Sequence, residues 1–171
     1  MTTDVDGSDR DFGDVHRIGV ERAGEILTLQ RAAYVTEAKL HNDLQLPPLD
    51  QTADEIVDEL QSPEVIALGI TSGARLVAAV RLTVHGDTAE LGRLTVAPDL
   101  QGRGLGSRLL GAVDTWLPRA VTRLELFTGE HSLANIRLYH RFGFREFRRR
   151  NVGTYDLVFL ARNVISGETG G

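Results

Sequence analysis

Cysteine is absent from the 171 residues, which removes a disulfide framework, a thiolate zinc site and a cysteine nucleophile at one stroke. Lysine is nearly absent as well, Lys39 standing against eighteen arginines, a ratio that reads as genomic base-composition bias. No apolar run approaches the roughly 20 residues needed to cross a bilayer, so no membrane association is expected. The start, MTTDVDGSDRDFGDV, is acidic and has no hydrophobic stretch, unlike a secretory signal or a basic transit peptide. The expected location is the cytoplasm. The five histidines, at 16, 41, 85, 131 and 140, form no H-x-x-x-H pair, and no metal site is expected.

What is present fits one soluble domain: 42% hydrophobic and 25% charged residues over a length that supports one core. The net charge of -5 is unevenly placed. Residues 1–64 hold 15 Asp/Glu against 5 Lys/Arg, whereas residues 65–171 hold 9 against 14. The basic excess of the second part suits an anionic ligand, while the acidic whole argues against nucleic-acid binding, which rests on neutralised phosphates. Residues 1–13 and 164–171 are small, polar and unpatterned, and are expected to be flexible tails on a domain spanning 14–163.

Along that domain strand-like and helix-like segments alternate. Val15–Val20 reads as a first strand and Glu25–His41 as a helix, broken by Pro47-Pro48. Thr52 opens a second helix with a capping box, ended by Ser62-Pro63. Val65–Thr71, Arg75–His85 and Thr88–Val96 form an antiparallel meander with a turn at Gly86-Asp87. Pro98 stops the third run. After a glycine-rich loop, Leu105, Leu109, Leu110, Val113 and Trp116 mark one side of a helix ending at Pro118. Thr122–Thr128 is the next strand, Ser132–Phe142 a helix ended by Gly143, and Phe144–Arg150 with Thr154–Ala161 a closing hairpin. Arg145, Arg148, Arg149 and Arg150 make that last pair basic, for a phosphate, an acidic partner or water.

The chemistry concentrates in the loop after the meander. Gly102, Gly104 and Gly106 permit tight turns and close backbone approach, at a helix start whose free N–H groups attract a phosphate or pyrophosphate. Arg103 and Arg108 add charge. The rival glycine loops fail on spelling. A P-loop needs Lys-Ser/Thr where Ser107-Arg108 stands, the dinucleotide fingerprint needs G-x-G-x-x-G in a first βαβ unit, and no G-x-S-x-G elbow is formed. A purely structural turn is the plainer alternative.

Two motifs in order carry a resemblance. Val96-x-Pro98-x-x-Gln101-Gly102-x-Gly104-x-Gly106, followed by an amphipathic helix, resembles the acyl-CoA pyrophosphate loop of the GCN5-related N-acetyltransferases (GNAT). Leu138-Tyr139-His140-Arg141-Phe142-Gly143-Phe144 resembles that family's closing L-Y-x-x-x-G-F signature. The resemblance implies an α/β (α+β) fold with a mostly antiparallel, splayed central sheet of six to seven strands flanked by about four helices. It also implies acetyl-CoA as co-substrate and direct transfer of the acetyl group to the primary amine of a small molecule, peptide or protein.

By the same resemblance, backbone groups at Leu94, Thr95 and Val96 bind pantetheine and polarise the thioester. Residues Gln101, Gly102, Arg103, Gly104, Leu105, Gly106 and Ser107 hold the pyrophosphate. The commonest family spelling places an Asn and a small Ala where this chain has Ser132 and Asn135, so the resemblance implies that the pantetheine contact passes to Asn135 or Ser132 or is partly lost. Ser132 alternatively caps its helix. Tyr139 is implied as general acid to the leaving thiolate. Glu90, six residues before Val96, is implied as the base that deprotonates the amine, its alternative being an exposed carboxylate near Arg93. The first two helices wall the acceptor groove in this family, which makes Tyr34 and Glu37 candidate substrate contacts. Asp43, Asp54, Asp58 and Glu59 are acids around them that would attract a cationic amine. A catalytically silent acyl-CoA-binding regulatory domain and an adaptor using the arginine strand are the competing functions, and a homodimer is left open.

Overall fold

The computed structural model describes residues 12–166, so residues 1–11 and 167–171 of the tails expected at 1–13 and 164–171 lie outside the described residues. Within them one seven-stranded sheet runs in the order β1-β2-β3-β4-β5-β7-β6. Its strands are β1 His16–Arg17, β2 Val65–Ser72, β3 Arg75–His85, β4 Thr88–Val96, β5 Arg123–Gly129, β6 Arg145–Asn151 and β7 Asp156–Asn163. All neighbours are antiparallel except β4 and β5. Five helices flank it: α1 Ala23–His41, α2 Pro47–Asp50, α3 Ala53–Gln61, α4 Leu105–Trp116 and α5 Leu133–Arg141.

Period-two alternation divides the sheet between two cores. Leu68, Val80, Leu82, Leu124, Leu126, Val158 and Leu160 pack with Leu105, Leu109, Leu110 and Val113 of α4 and Tyr139 of α5. On the other face Ala67, Leu76 and Ala79 meet Ile26 and Leu29 of α1 and Ile56 of α3. Phe127 and Phe147, on the far half of the sheet, remain 46% exposed.

Two expectations are corrected. The first strand shrinks to His16–Arg17, because the Glu21 carboxylate accepts the Gly19 N–H and a 3-10 turn at Val20–Arg22 carries the chain off the sheet edge. Pro47-Pro48 begin a one-turn helix and do not end the previous one, which stops at His41 with Asn42 in the left-handed conformation; proline is tolerated in a first turn whose N–H groups have no partner. Ordered contacts also reach beyond 14–163. The Gly13 N–H donates to the Thr71 carbonyl, and the Ile165 N–H donates to Asp114.

Two polar clamps lock the layers. Arg162 of β7 donates two hydrogen bonds of 2.8 and 2.6 Å to Asp114 of α4. Burial raises the Asp114 pKa, but the Arg162 hydrogen bonds, the Ile165 N–H and the Arg162 charge together outweigh it and hold the carboxyl below its ordinary value. On the opposite face Arg81, 4% exposed, donates to Glu59 at 2.9 Å and to Gln30 and Gln51 at 3.0 Å each. Gln30 and Gln51 then bond Pro48 O and Glu59, so one strand guanidinium organises α1, α2 and α3.

Candidate active site

Parallel β4 and β5 are paired only through Thr88–Arg123, Ala89–Leu124 and Glu90–Glu125. Beyond Glu90 the two part, β4 staying with β3 and β5 with β7. A bulge accompanies the parting. Between the pairs Arg81–Gly92 and Ala79–Thr95, β3 has one residue and β4 has two, Arg93 and Leu94, and such an insertion bends the strand. Arg93 takes the left-handed conformation, φ 54°, to make that bend. Leu94, Thr95 and Val96 therefore lie on an arm of β4 with one hydrogen-bonding edge unpaired by β5. Polar backbone groups facing a cleft are what a thioester carbonyl and an amide-bearing arm require.

The arm runs through Pro98–Leu100 into the glycine loop. Gly102 and Gly104 have φ of 79° and 78°, and a Cβ at either would meet nothing within 4 Å. Their glycine identity serves backbone conformation, and the space over them is open. Gly104 caps α4 without a side-chain bond, and no acidic residue occupies the first turn. The N–H groups of Leu105, Gly106 and Ser107 are the unpartnered donors of a helix start. This uncovered donor cradle, with Gln101 and Arg103 exposed beside it, fits a pyrophosphate. One Arg108 guanidinium N–H donates to the Gly13 carbonyl at 2.7 Å, which ties this side chain to the start of the described residues.

Across the cleft stands Tyr139, buried on α5 with its ring edge-on to Phe144, centroids 5.9 Å apart. Burial first, then the neighbouring Tyr34 and Glu37, hold its hydroxyl pKa far above the ordinary tyrosine value. Tyr34 of α1 is also raised, by burial and Glu37, against the opposing Arg93 and Arg81 guanidinium groups. Tyr34, Glu37 and Tyr139 thus form one group spanning both helical layers.

Ser132 and Asn135 join that group through Glu37. The Ser132 hydroxyl makes a short hydrogen bond to the Glu37 carboxylate, and Asn135 Nδ2 donates to it at 3.1 Å. Ser132 occupies the N-cap position of α5, yet its side chain makes no cap bond, since the hydroxyl is turned towards α1. His41, one turn after Glu37, extends the link. Its Nε2 accepts the His131 N–H at 3.1 Å and its Nδ1 faces the Glu37 carbonyl at 3.0 Å, which places the proton on Nδ1. The ring fills the space a Gly129 side chain would need.

The acids expected to line a cationic groove are largely engaged internally. Asp43 accepts the Tyr155 hydroxyl at 2.8 Å and Glu59 accepts from Arg81, as Glu37 does from Ser132 and Asn135. Glu90 is not in the tyrosine group. It is exposed at the point where β4 and β5 part, in a depression of about 330 Å³ shared with Glu125, Phe127, Phe147, Arg148 and Phe159. Two features escaped sequence reasoning. Arg81 announces itself as the one charge inside the apolar run Leu76–Val84, whereas Arg93 carries no local signal, because a bulge is a property of strand pairing.

The model of the acetyltransferase (GNAT) family matches residues 28–144. The chain belongs to the GNAT family. Among curated relatives, the mycothiol acetyltransferase of Clavibacter michiganensis subsp. michiganensis is 32% identical over 94 residues, covering 54% of this chain and 31% of that protein. The match thus spans about a third of that relative's length. The ribosomal-protein-S18-alanine N-acetyltransferase of Escherichia coli superposes with a TM-score of 0.71 at 20% identity, covering 92% of this chain and 97% of that one. PaiA N-acetyltransferase of Thermoplasma acidophilum, solved in complex with coenzyme A, gives 0.69 at 15% identity over 86% and 97%. At these identities the solved structures establish the shared GNAT fold. Among the described residues no group of three or more His, Asp or Glu could hold a metal ion, and no helix is long and apolar enough to cross a membrane.

Proposed function

We propose that this GNAT domain is an acetyl-CoA-dependent N-acetyltransferase acting on a primary amine in the cytoplasm. The observation that carries the reading is the continuity of one strand arm, Leu94–Val96, with an open donor cradle at Gln101–Ser107, opposite a buried tyrosine hydroxyl. When bound, acetyl-CoA supplies the acetyl group as a thioester. The first-turn N–H groups of α4 and the side chain of Arg103 hold the pyrophosphate, and the backbone of the bulged arm orients pantetheine and polarises the carbonyl. Ser132 and Asn135 flank the arm's path and keep α5 against α1 through Glu37.

In this reading Tyr139 Oη, whose pKa burial holds above the ordinary tyrosine value, supplies the proton to the leaving sulfur. Glu90, at the apex of the splay on an exposed face, receives the amine proton directly or through one water. Unassisted, an alkylamine with a pKa near 10.4 is almost wholly protonated at pH 7. The test is thiol release from acetyl-CoA against a panel of primary amines. Glu90→Gln is expected to lower kcat by about 10²-fold at pH 7, with the deficit closing above about pH 10 as the amine loses its proton unaided. A Glu90→Gln profile parallel to wild type at every pH removes Glu90 as base. Coenzyme binding without thiol release from any amine gives the silent regulatory domain instead.

A further inference from the structure

Arg93 is the residue the proposed mechanism leaves unused, and its surroundings are unusual in three ways. It is a long side chain in the left-handed region, φ 54°, where the only other described non-glycine residue is Asn42. Left-handed geometry is costly for a residue of this kind, and strain retained at a site points from an observed outlier to function. Its Nε is buried with no hydrogen-bond partner, a state shared among the described residues by Arg162 Nε, whose other nitrogens are nonetheless bound to Asp114. Finally, no acidic side chain lies within ion-pair distance of it among the described residues, whereas the other two inward-facing guanidinium groups are paired, Arg81 with Glu59 and Arg162 with Asp114.

Its position gives these facts a direction. The bulge turns Arg93 to the α1 side of the sheet, where its guanidinium acts on the Tyr34 hydroxyl through both its charge and a hydrogen bond, and Tyr34 in turn acts on Tyr139. Arg81 adds a second positive charge at Tyr34. The nearest acid on α1, Glu37, already accepts from Ser132 and Asn135. A guanidinium so placed lacks an anion, and its planar fork matches the two oxygens of a carboxylate.

We infer that the acetyl acceptor is an amine that also carries a carboxylate, such as a free amino acid or short peptide, and that Arg93 recognises the carboxylate. The inference rests on the amine-transfer reading and narrows it. Glu90 lies three residues away on the same strand, about 10 Å along β4, so the site offers an anion contact and a proton acceptor at opposite ends of a small zwitterion. A polyamine has no carboxylate for Arg93 to bind.

Thiol release is measured with free amino acids, with the same amino acids as carboxamides, and with spermidine. Free acids are expected to exceed their amides by 10-fold or more in kcat/KM (about 1.4 kcal/mol), the difference lying in KM. Arg93→Gln is expected to abolish that preference. Arg93→Gly removes the guanidinium while relieving the left-handed backbone; it is expected to fold at least as stably and to lose the preference equally. Both variants are expected to keep the wild-type thermal shift with acetyl-CoA. Equal use of acids and amides, or a preference that survives both variants, overturns the inference while amine transfer stands. Absence of thiol release from every amine overturns both.

Discussion

Tyr139→Phe is expected to lower kcat by about 10²–10⁴-fold, the range of a lost general acid, with the unfolding midpoint moved by no more than about 2–4 °C, equivalent to about 1 kcal/mol in a domain of this size. The asymmetry follows from the site. The ring keeps its burial and its edge-on contact with Phe144 at 5.9 Å, and only the hydroxyl is lost. That hydroxyl is held above its ordinary pKa by burial, Tyr34 and Glu37. Wild type should therefore show no alkaline loss of kcat from this group up to about pH 10. The sign for stability agrees: with the folded pKa raised, the contribution is complete below the ordinary value of 10.0 and is lost only as pH rises through the folded one. Steady-state kinetics across pH 6–10, with coenzyme binding measured separately, test this. A variant within about 3-fold of wild type would assign Tyr139 to the core alone.

Arg81→Ala is expected to be the most destabilising polar substitution in the domain, at about 3–5 kcal/mol, which at about 2–4 °C per kcal/mol lowers the midpoint by about 6–20 °C. Removing the guanidinium leaves Gln30, 1% exposed, and the partly buried Glu59 carboxylate without their strand partner, and an orphaned buried group costs more than the bond it made contributed. Arg81→Met with Glu59→Met removes both charges and should recover a large part of the loss. Urea titration of the two variants and wild type gives the comparison. A cost below about 1 kcal/mol for Arg81→Ala would mean that α2 and α3 dock through their apolar contacts alone.

The legible parts of this protein are those where local chemistry and tertiary need coincide. The strands 75–85 and 88–96 agree with the sequence reading to the residue, because Gly86-Asp87 makes a turn and Pro98 ends a ladder wherever they occur. The capping box at Thr52 is equally local and is present as read, Thr52 Oγ1 accepting the Glu55 N–H at 3.2 Å. The splay came from family resemblance, since nothing in the spacing of β4 or β5 says that their pairing ends at Glu90–Glu125. Likewise, the Glu37 bonds to Ser132 and Asn135 join residues 95 and 98 positions apart, and of the acids read as an acceptor groove Glu37, Asp43 and Glu59 are engaged by partners no periodicity discloses while Asp54 and Asp58 stay exposed. Arg93 is hidden for the same reason: its conformation is set by the β3 strand opposite.

The central claim is that the Gln101–Ser107 cradle and the open β4 arm hold acetyl-CoA, and the most direct measurement is the thermal unfolding midpoint with and without it, NAD and ATP serving as controls. At about 100 times its dissociation constant a ligand stabilises the native state by about 2.7 kcal/mol, so a selective rise of about 5–10 °C is predicted. An unchanged midpoint at millimolar acetyl-CoA, or an equal rise with ATP, would contradict the account and leave the glycine loop as a structural turn.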